Sequence, residues 1–220
     1  MEQVSNGQFI RQAFERISTE FDNFKNILKR NPDCLHNYKR FCQFASEFQD
    51  VSNPYVLRLI KACPGDRIPD FEAKMRKEEG FENFSVDIID VNKRGRHVAN
   101  DPNKIYWPIT YTYPHFQHNA LVGCNYTYED NRLKFVDEVV KTKIGQTFIS
   151  SAPLYDPDLY CIFRLEPVGF DKDGNVDTIL EMICAIDIII SKSTPSEYYT
   201  PDTSEYIILE NTEDKEKIIN

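Results

Sequence analysis

IYWPITYTYPHF, residues 105–116, is the stretch that decides the fold class. It is rich in aromatic and β-branched residues, which favour a pleated, half-buried surface, so it reads as a strand. Trp107, Ile109, Tyr111 and Tyr113 fall on one face, and Tyr106, Pro108, Thr110 and Thr112 on the other. Just upstream, Phe84, Val86 and Ile88 alternate in the same way and predict a second strand. Between the two lies a polar, hairpin-like loop containing Lys93-Arg94-Gly95-Arg96, a solvated turn.

Further upstream the period changes to that of a helix. Phe9, Ala13, Phe14, Ile17, Phe21, Phe24 and Leu28 recur at steps of three and four, predicting an amphipathic helix over 5–30 that Asn31-Pro32 stops. At about 39 Å it is long for one compact core and could serve as a stalk or dimer seam. Leu35, Tyr38, Phe41 and Ala45 predict a second helix with Asp33 as N-cap. A short helical piece is expected over 54–62, broken by Cys63-Pro64-Gly65, and a further helix over 66–79, ended by Gly80.

Downstream, 116–124 reads as a turn with room for a short helix. A helix is predicted over 129–143 with Gly145 as its stop. Short strands follow at 147–150 and 159–165, then a tight turn at Asp171-Lys172-Asp173-Gly174-Asn175. A buried strand is expected over 179–190, and a last strand over 206–210 before an acidic, frayed end. Helices first, then strands with one helix inserted, make an α+β chain on an antiparallel sheet.

Composition narrows the function. With 41% apolar and 13% aromatic residues, the 220-residue chain has enough for a real core. A net charge of −9 argues against binding nucleic acid or an anionic lipid surface, both of which need a basic face. No apolar run reaches the roughly 18 residues of a membrane span, and the polar N-terminus is unlike a signal peptide. The six cysteines form no C-x-x-C, which argues against structural zinc, and Cys42, Cys161 and Cys184 sit in apolar patterns as buried thiols. Two sequons, Asn83-Phe84-Ser85 and Asn125-Tyr126-Thr127, are about what chance provides.

Catalytic signatures are missing. There is no Gly-x-Ser-x-Gly, phosphate loop or dinucleotide fingerprint, and the 8 glycines do not cluster. Ser150-Ser151 has no histidine after it, since all four lie earlier, at 36, 97, 115 and 118. His115-x-x-His118 with Cys124 has metal-ligand residue types at a spacing that matches no known framework. Asp171-x-Asp173-Gly174 resembles the start of a calcium loop, but the closing position is Met182. The reading is therefore a non-enzyme with no metal and no cofactor. The aromatic strand 105–116 remains, either as sheet packing or as the wall of a small-molecule pocket.

Three blocks in order, 66–86, 106–123 and 130–150, resemble the CHASE domain, the extracellular sensor of histidine kinases, adenylyl cyclases and cytokinin-type receptors. In the first, Arg67, Phe71-Glu72, Gly80 and Phe84 match the family's pattern. The second resembles its strand, Pro, Asn-rich turn and Gly, with Pro114 and Gly123 at matching spacing. The third is similar to its Arg-bearing helix ending in Gly before a short strand. The resemblance implies a stalk with connecting helices (1–65), a membrane-distal PAS-like ligand-binding subdomain (66–165) and a membrane-proximal PAS-like one (166–220). It implies ligand contacts at Tyr111, Tyr113, Pro114, His115, Ser150 and Phe163. It also implies a membrane-anchored parent protein, an extracellular address and a homodimer through the N-terminal helix. Plant cytokinin receptors grip the adenine ring with an aspartate; here that position is Pro114, so the carboxylate that would hold a purine nitrogen is missing and the ligand is left open. The alternative is a ligand-independent dimerisation or spacer module.

Overall fold

The computed structural model describes residues 6–48, 55–78, 81–90, 95–114, 121–127, 130–152, 156–193, 208–212 and 215–219. In chain order the elements are α1 (Asn6–Arg30), α2 (Tyr38–Phe48), β1 (Tyr55–Lys61), β2 (Cys63–Pro64), α3 (Ile68–Glu78), β3 (Asp87–Asp90) and β4 (Gly95–Val98). Then come β5 (Ile105–Tyr106), β6 (Ile109–Tyr113), α4 (Asp130–Thr142), β7 (Gln146–Ala152), β8 (Asp156–Phe170), β9 (Val176–Ala185), α5 (Ile186–Ser193), β10 (Ile208–Thr212) and β11 (Lys215–Ile219). The chain is α+β, with an N-terminal helix and antiparallel sheets.

The centre is a five-stranded sheet in the order β6-β1-β9-β8-β7, with every neighbour antiparallel. Helices cover both faces. On one face Phe21, Phe24 and Leu28 of α1 and Phe41 and Ala45 of α2 pack on Leu57, Leu59, Tyr111, Leu180 and Met182. On the other, Val136 and Val139 of α4 pack with Phe148, Phe163, Leu165 and Ile179. Strand residues alternate between the two cores except at the bulge where β1 meets β6: Trp107 and Ile109, expected on one face with Tyr111 and Tyr113, join the α4-side core, while Tyr111 and Tyr113 join the α2-side one.

The segment 54–62, expected as helix, is strand β1, next to the middle of the sheet. Leu57, Arg58, Leu59 and Ile60 are all at most 2% exposed. A strand covered on both faces shows no alternation of polarity, so its apolar run mimics a buried helix. For the same reason the strand expected over 179–190 ends at Ala185, and Ile186–Ser193 is helical. Pro32–His36 forms a 3-10 turn, and α2 begins later. Its cap is Asn37, whose Oδ1 accepts the Arg40 N–H at 3.0 Å, and not Asp33.

α4 ends before Gly145. Lys143 takes the left-handed conformation (φ 59°), and the Thr142 hydroxyl accepts the Ile144 N–H at 3.2 Å. Gly145 matters for a different reason: a Cβ there would collide with the Glu166 carboxylate. The acidic end expected to fray is β11, paired with β10. Gly80 lies outside the described residues. The 171–175 turn is as expected, with Asp171 Oδ1 accepting the N–H groups of Asp173 and Asn175 at 2.9 and 2.8 Å.

The apolar stripe of α1 is used within the chain: Ala13, Ile17, Phe21, Phe24 and Leu28 are all buried. The 165/166 boundary drawn from the resemblance falls inside β8. All six cysteines are free, and all but Cys42 are buried. Among the described residues no helix is long and apolar enough to cross a membrane, and no group of three His, Cys, Asp or Glu could hold a metal ion.

Candidate functional site

One row of side chains crosses the sheet on its α4 side. Thr112 of β6 stands opposite Arg58 of β1, Arg58 opposite Glu181 of β9, and Glu181 opposite Leu165 of β8. Cross-strand partners share a face, so a threonine, an arginine and a glutamate follow one another across the α4-side face of the sheet, the glutamate nearest the strands on which α4 packs. The first turn of α4 adds Arg132 from above, 3% exposed. Arg58 Nη1 lies 3.2 Å from Glu181 Oε2, and Arg132 Nη1 lies 3.6 Å from Glu181 Oε1.

Aromatic rings enclose these charges. The Arg132 guanidinium is 4.4 Å from the Phe163 ring centroid and 5.1 Å from that of Tyr126. Phe163 stacks on Phe148 at 5.1 Å, and Phe148 on Phe135 at 3.9 Å. Two guanidiniums thus face one carboxylate, and one of the two lies against aromatic rings. Taking these ions out of water costs several kcal/mol each before pairing returns any of it. A fold that needed only packing would place apolar groups here.

Thr112 adds to this picture. Thr110, two residues earlier, donates its hydroxyl to the Leu59 carbonyl at 2.9 Å. The Thr112 hydroxyl is fully buried and, among the described residues, has no hydrogen-bond partner. A buried polar atom in that state costs about 1–3 kcal/mol and calls for an explanation.

The residues expected to contact a ligand divide between the two faces. Phe163 lies beneath Arg132. Ser150 of β7 is half-buried, opposite Cys161 of the same core. Tyr111 and Tyr113 point to the α2 side. There Tyr111, 1% exposed, meets Phe41, Tyr38 and Phe81 with ring centroids 5.7, 5.4 and 6.4 Å away. Pro114 follows the strand, half-buried, through a cis peptide bond. His115 lies outside the described residues, as does His118.

Arg58, Glu181 and Thr112 were not singled out as site residues in the sequence. Their signal was there: one basic residue inside VLRLI (56–60) and one acidic residue inside ILEMI (179–183), each alone in an apolar run. Opposite charges so placed on adjacent buried strands announce a buried pair.

The Phe71-Glu72 motif proves to be a fastening. Glu72 Oε1 accepts the Val86 N–H at 2.8 Å, and Oε2 accepts from Arg76 at 2.8 Å. Arg76 Nε in turn donates to the Phe84 carbonyl at 2.9 Å. α3 is thereby tied to the segment entering β3. Gly123 ties the next one, because its φ of +88° and the Ser85 carbonyl against it leave no room for a side chain. Around it, Gly123 N–H donates to Ile109 O at 2.8 Å and Asp87 N–H to Gly123 O at 3.1 Å. The sequon asparagine at 125 is 7% exposed, and its side-chain oxygen accepts the Trp107 N–H at 2.7 Å.

Residues 36–153, more than half of the chain, match the CHASE domain. A comparison with curated proteins gives no match.

Proposed function

Since the chain belongs to the CHASE domain family, a family of sensory rather than catalytic domains, typically extracellular, we propose that it is the ligand-sensing part of a membrane-anchored signalling receptor. The ligand site we propose lies beneath α4, on the face carrying Thr112, Arg58 and Glu181. The observation that carries this reading is the fully buried Thr112 hydroxyl without a partner beside an enclosed ion cluster. Such a polar group is satisfied when a ligand supplies the missing partner. Ser150 and Phe163 border the same core and keep their proposed role. The two arginines suit a ligand with a carboxylate or another strong acceptor, and the Phe163 and Tyr126 rings suit a flat apolar part.

The same reading assigns the PAS-like, membrane-distal unit to the five-stranded sheet with its covering segments, a wider span than 66–165. A homodimer through α1 would have to use the outer face of that helix, because its apolar stripe is buried at home. Transmission is proposed to run through β8. Phe163 lies in the site, and its neighbour Arg164, on the opposite face, binds Asp22 of α1 at 2.7 Å.

Thr112→Val tests the site. It replaces a partnerless hydroxyl by a methyl of the same shape, so thermal stability should hold or rise. A thermal-shift panel of small carboxylates, purines and amino acids should give a stabilising ligand for the wild type that Thr112→Val and Ser150→Ala lose. A broad panel without any stabiliser would favour the ligand-independent spacer.

A further inference from the structure

On the other face of the sheet, at the ends of β1 and β9, a cavity of about 150 Å³ opens between the sheet and α3. Its apolar wall is Phe71, Met75 and Tyr111, and its basic groups are Lys61, Lys74 and His36. The Lys61 ammonium stands 4.9 Å from the Tyr111 ring centroid. One carboxylate, Asp177, is also present. It accepts the Thr178 hydroxyl at 2.8 Å, which holds it against the wall.

Two ammonium groups face one carboxylate in the cavity. Desolvation lowers the His36 imidazole below its ordinary value, and the charges of Lys61 and Lys74 lower it further, against the weaker pull of Asp177 and Asp33. A space of this size holds about one six-membered ring.

We propose that this cavity is a second ligand site, separate from the one beneath α4, and that it takes a small carboxylate carrying a single ring. The ring lies against Phe71, Met75 and Tyr111, and the carboxylate faces Lys61, Lys74 and His36. A more highly charged anion fits less well, because half the wall is apolar and Asp177 stands beside it. Burial depresses His36 most and the two lysines add to it; a carboxylate bound beside the ring offsets the lysines' share and favours the imidazolium. His36 then has a higher pKa in the complex than in the free protein, and affinity rises as pH falls from about 7 toward 5.

Benzoate is the probe, titrated into the whole chain by calorimetry, with benzamide as its uncharged twin. The expected result is saturable one-to-one binding that is at least about tenfold weaker for benzamide. Lys74→Ala, at an exposed position of α3, should weaken benzoate about tenfold by removing one charge-assisted contact. Binding should tighten from about pH 7 to about pH 5, and Thr112→Val should leave it unchanged. Equal binding of benzoate and benzamide, wild-type affinity in Lys74→Ala, or a flat pH profile would each overturn the second site. Loss of benzoate binding in Thr112→Val would place the molecule beneath α4 and overturn it as well. The two sites therefore fail independently.

Discussion

Arg58 and Glu181 are 123 positions apart in the chain and meet on adjacent strands with almost no exposure to water. Removing one charge of such a pair strands the other, so Glu181→Gln or Arg58→Met should each cost about 3–5 kcal/mol. The double replacement Arg58→Met/Glu181→Leu should cost far less than the sum of the two single changes, as urea unfolding would read. If the double change costs the full sum, the pair is not coupled. Little of this site was legible in the sequence. Phe163 and Ser150 were named, while Tyr111 and Tyr113 lie on the other face of the sheet from the site proposed on the α4 side. A charge cluster assembled from two strands and a helix leaves no local spacing to read. Gly123 was marked as a match to a family pattern, and the structure supplies its cause. Gly123→Ala should cost several kcal/mol, since the side chain meets the Ser85 carbonyl at a backbone angle that disfavours it.

At the scale of elements, α1 was legible because one of its faces is wet, and β1 was not because neither of its faces is. The junction between α1 and β8 carries its own prediction. Arg164 lies 2.7 Å from Asp22 and 2.8 Å from Glu166, and Lys25 lies 2.8 Å from Asp22 and 3.4 Å from Glu166. Burial pushes the Asp22 carboxyl up, but the Lys25 hydrogen bond together with the charges of Arg164 and Lys25 outweighs it, and the group sits below its ordinary value. A depressed carboxyl stabilises the fold above its unfolded pKa, and that contribution is lost as pH falls through the folded one. Arg164→Met should therefore destabilise by about 1 kcal/mol at pH 7, a value discounted for the partial exposure of Asp22. The difference from wild type should shrink below about pH 4. The Arg164 guanidinium also lies 4.9 Å from the Phe21 ring centroid, and a difference that stays constant from pH 7 to pH 3 would show that the loss is one of this packing and not of charge.

At the scale of the molecule, one sheet gathers strands from residue 55 to residue 185 and carries a separate core on each face. The α+β class followed from the order of periodicities. The strand order did not, because which strands become neighbours depends on long-range pairing. Six thiols report on the intactness of this body. Burial raises them all, to about 11 at Cys124 and Cys161 and about 12 at Cys63 and Cys184. They are protonated and shielded at neutral pH, so alkylation of the native protein should run roughly a hundredfold slower than in denaturant. Cys42, half-buried, should react first. Uniform fast labelling would mean that the two cores open readily.

The position of β1 reaches into how the protein is made. It is an early strand, yet it lies between β6 and β9, and β9 is the last strand of the sheet in sequence. On the ribosome, Arg58 emerges long before Glu181 does. Until then β1 has an open edge and an arginine among apolar side chains with its carboxylate still unsynthesised. That half-made sheet lacks the strand that covers the inner edge of β1. A message cut short before codon 181 would yield a chain with Arg58 in an apolar strand and no Glu181 to pair with it.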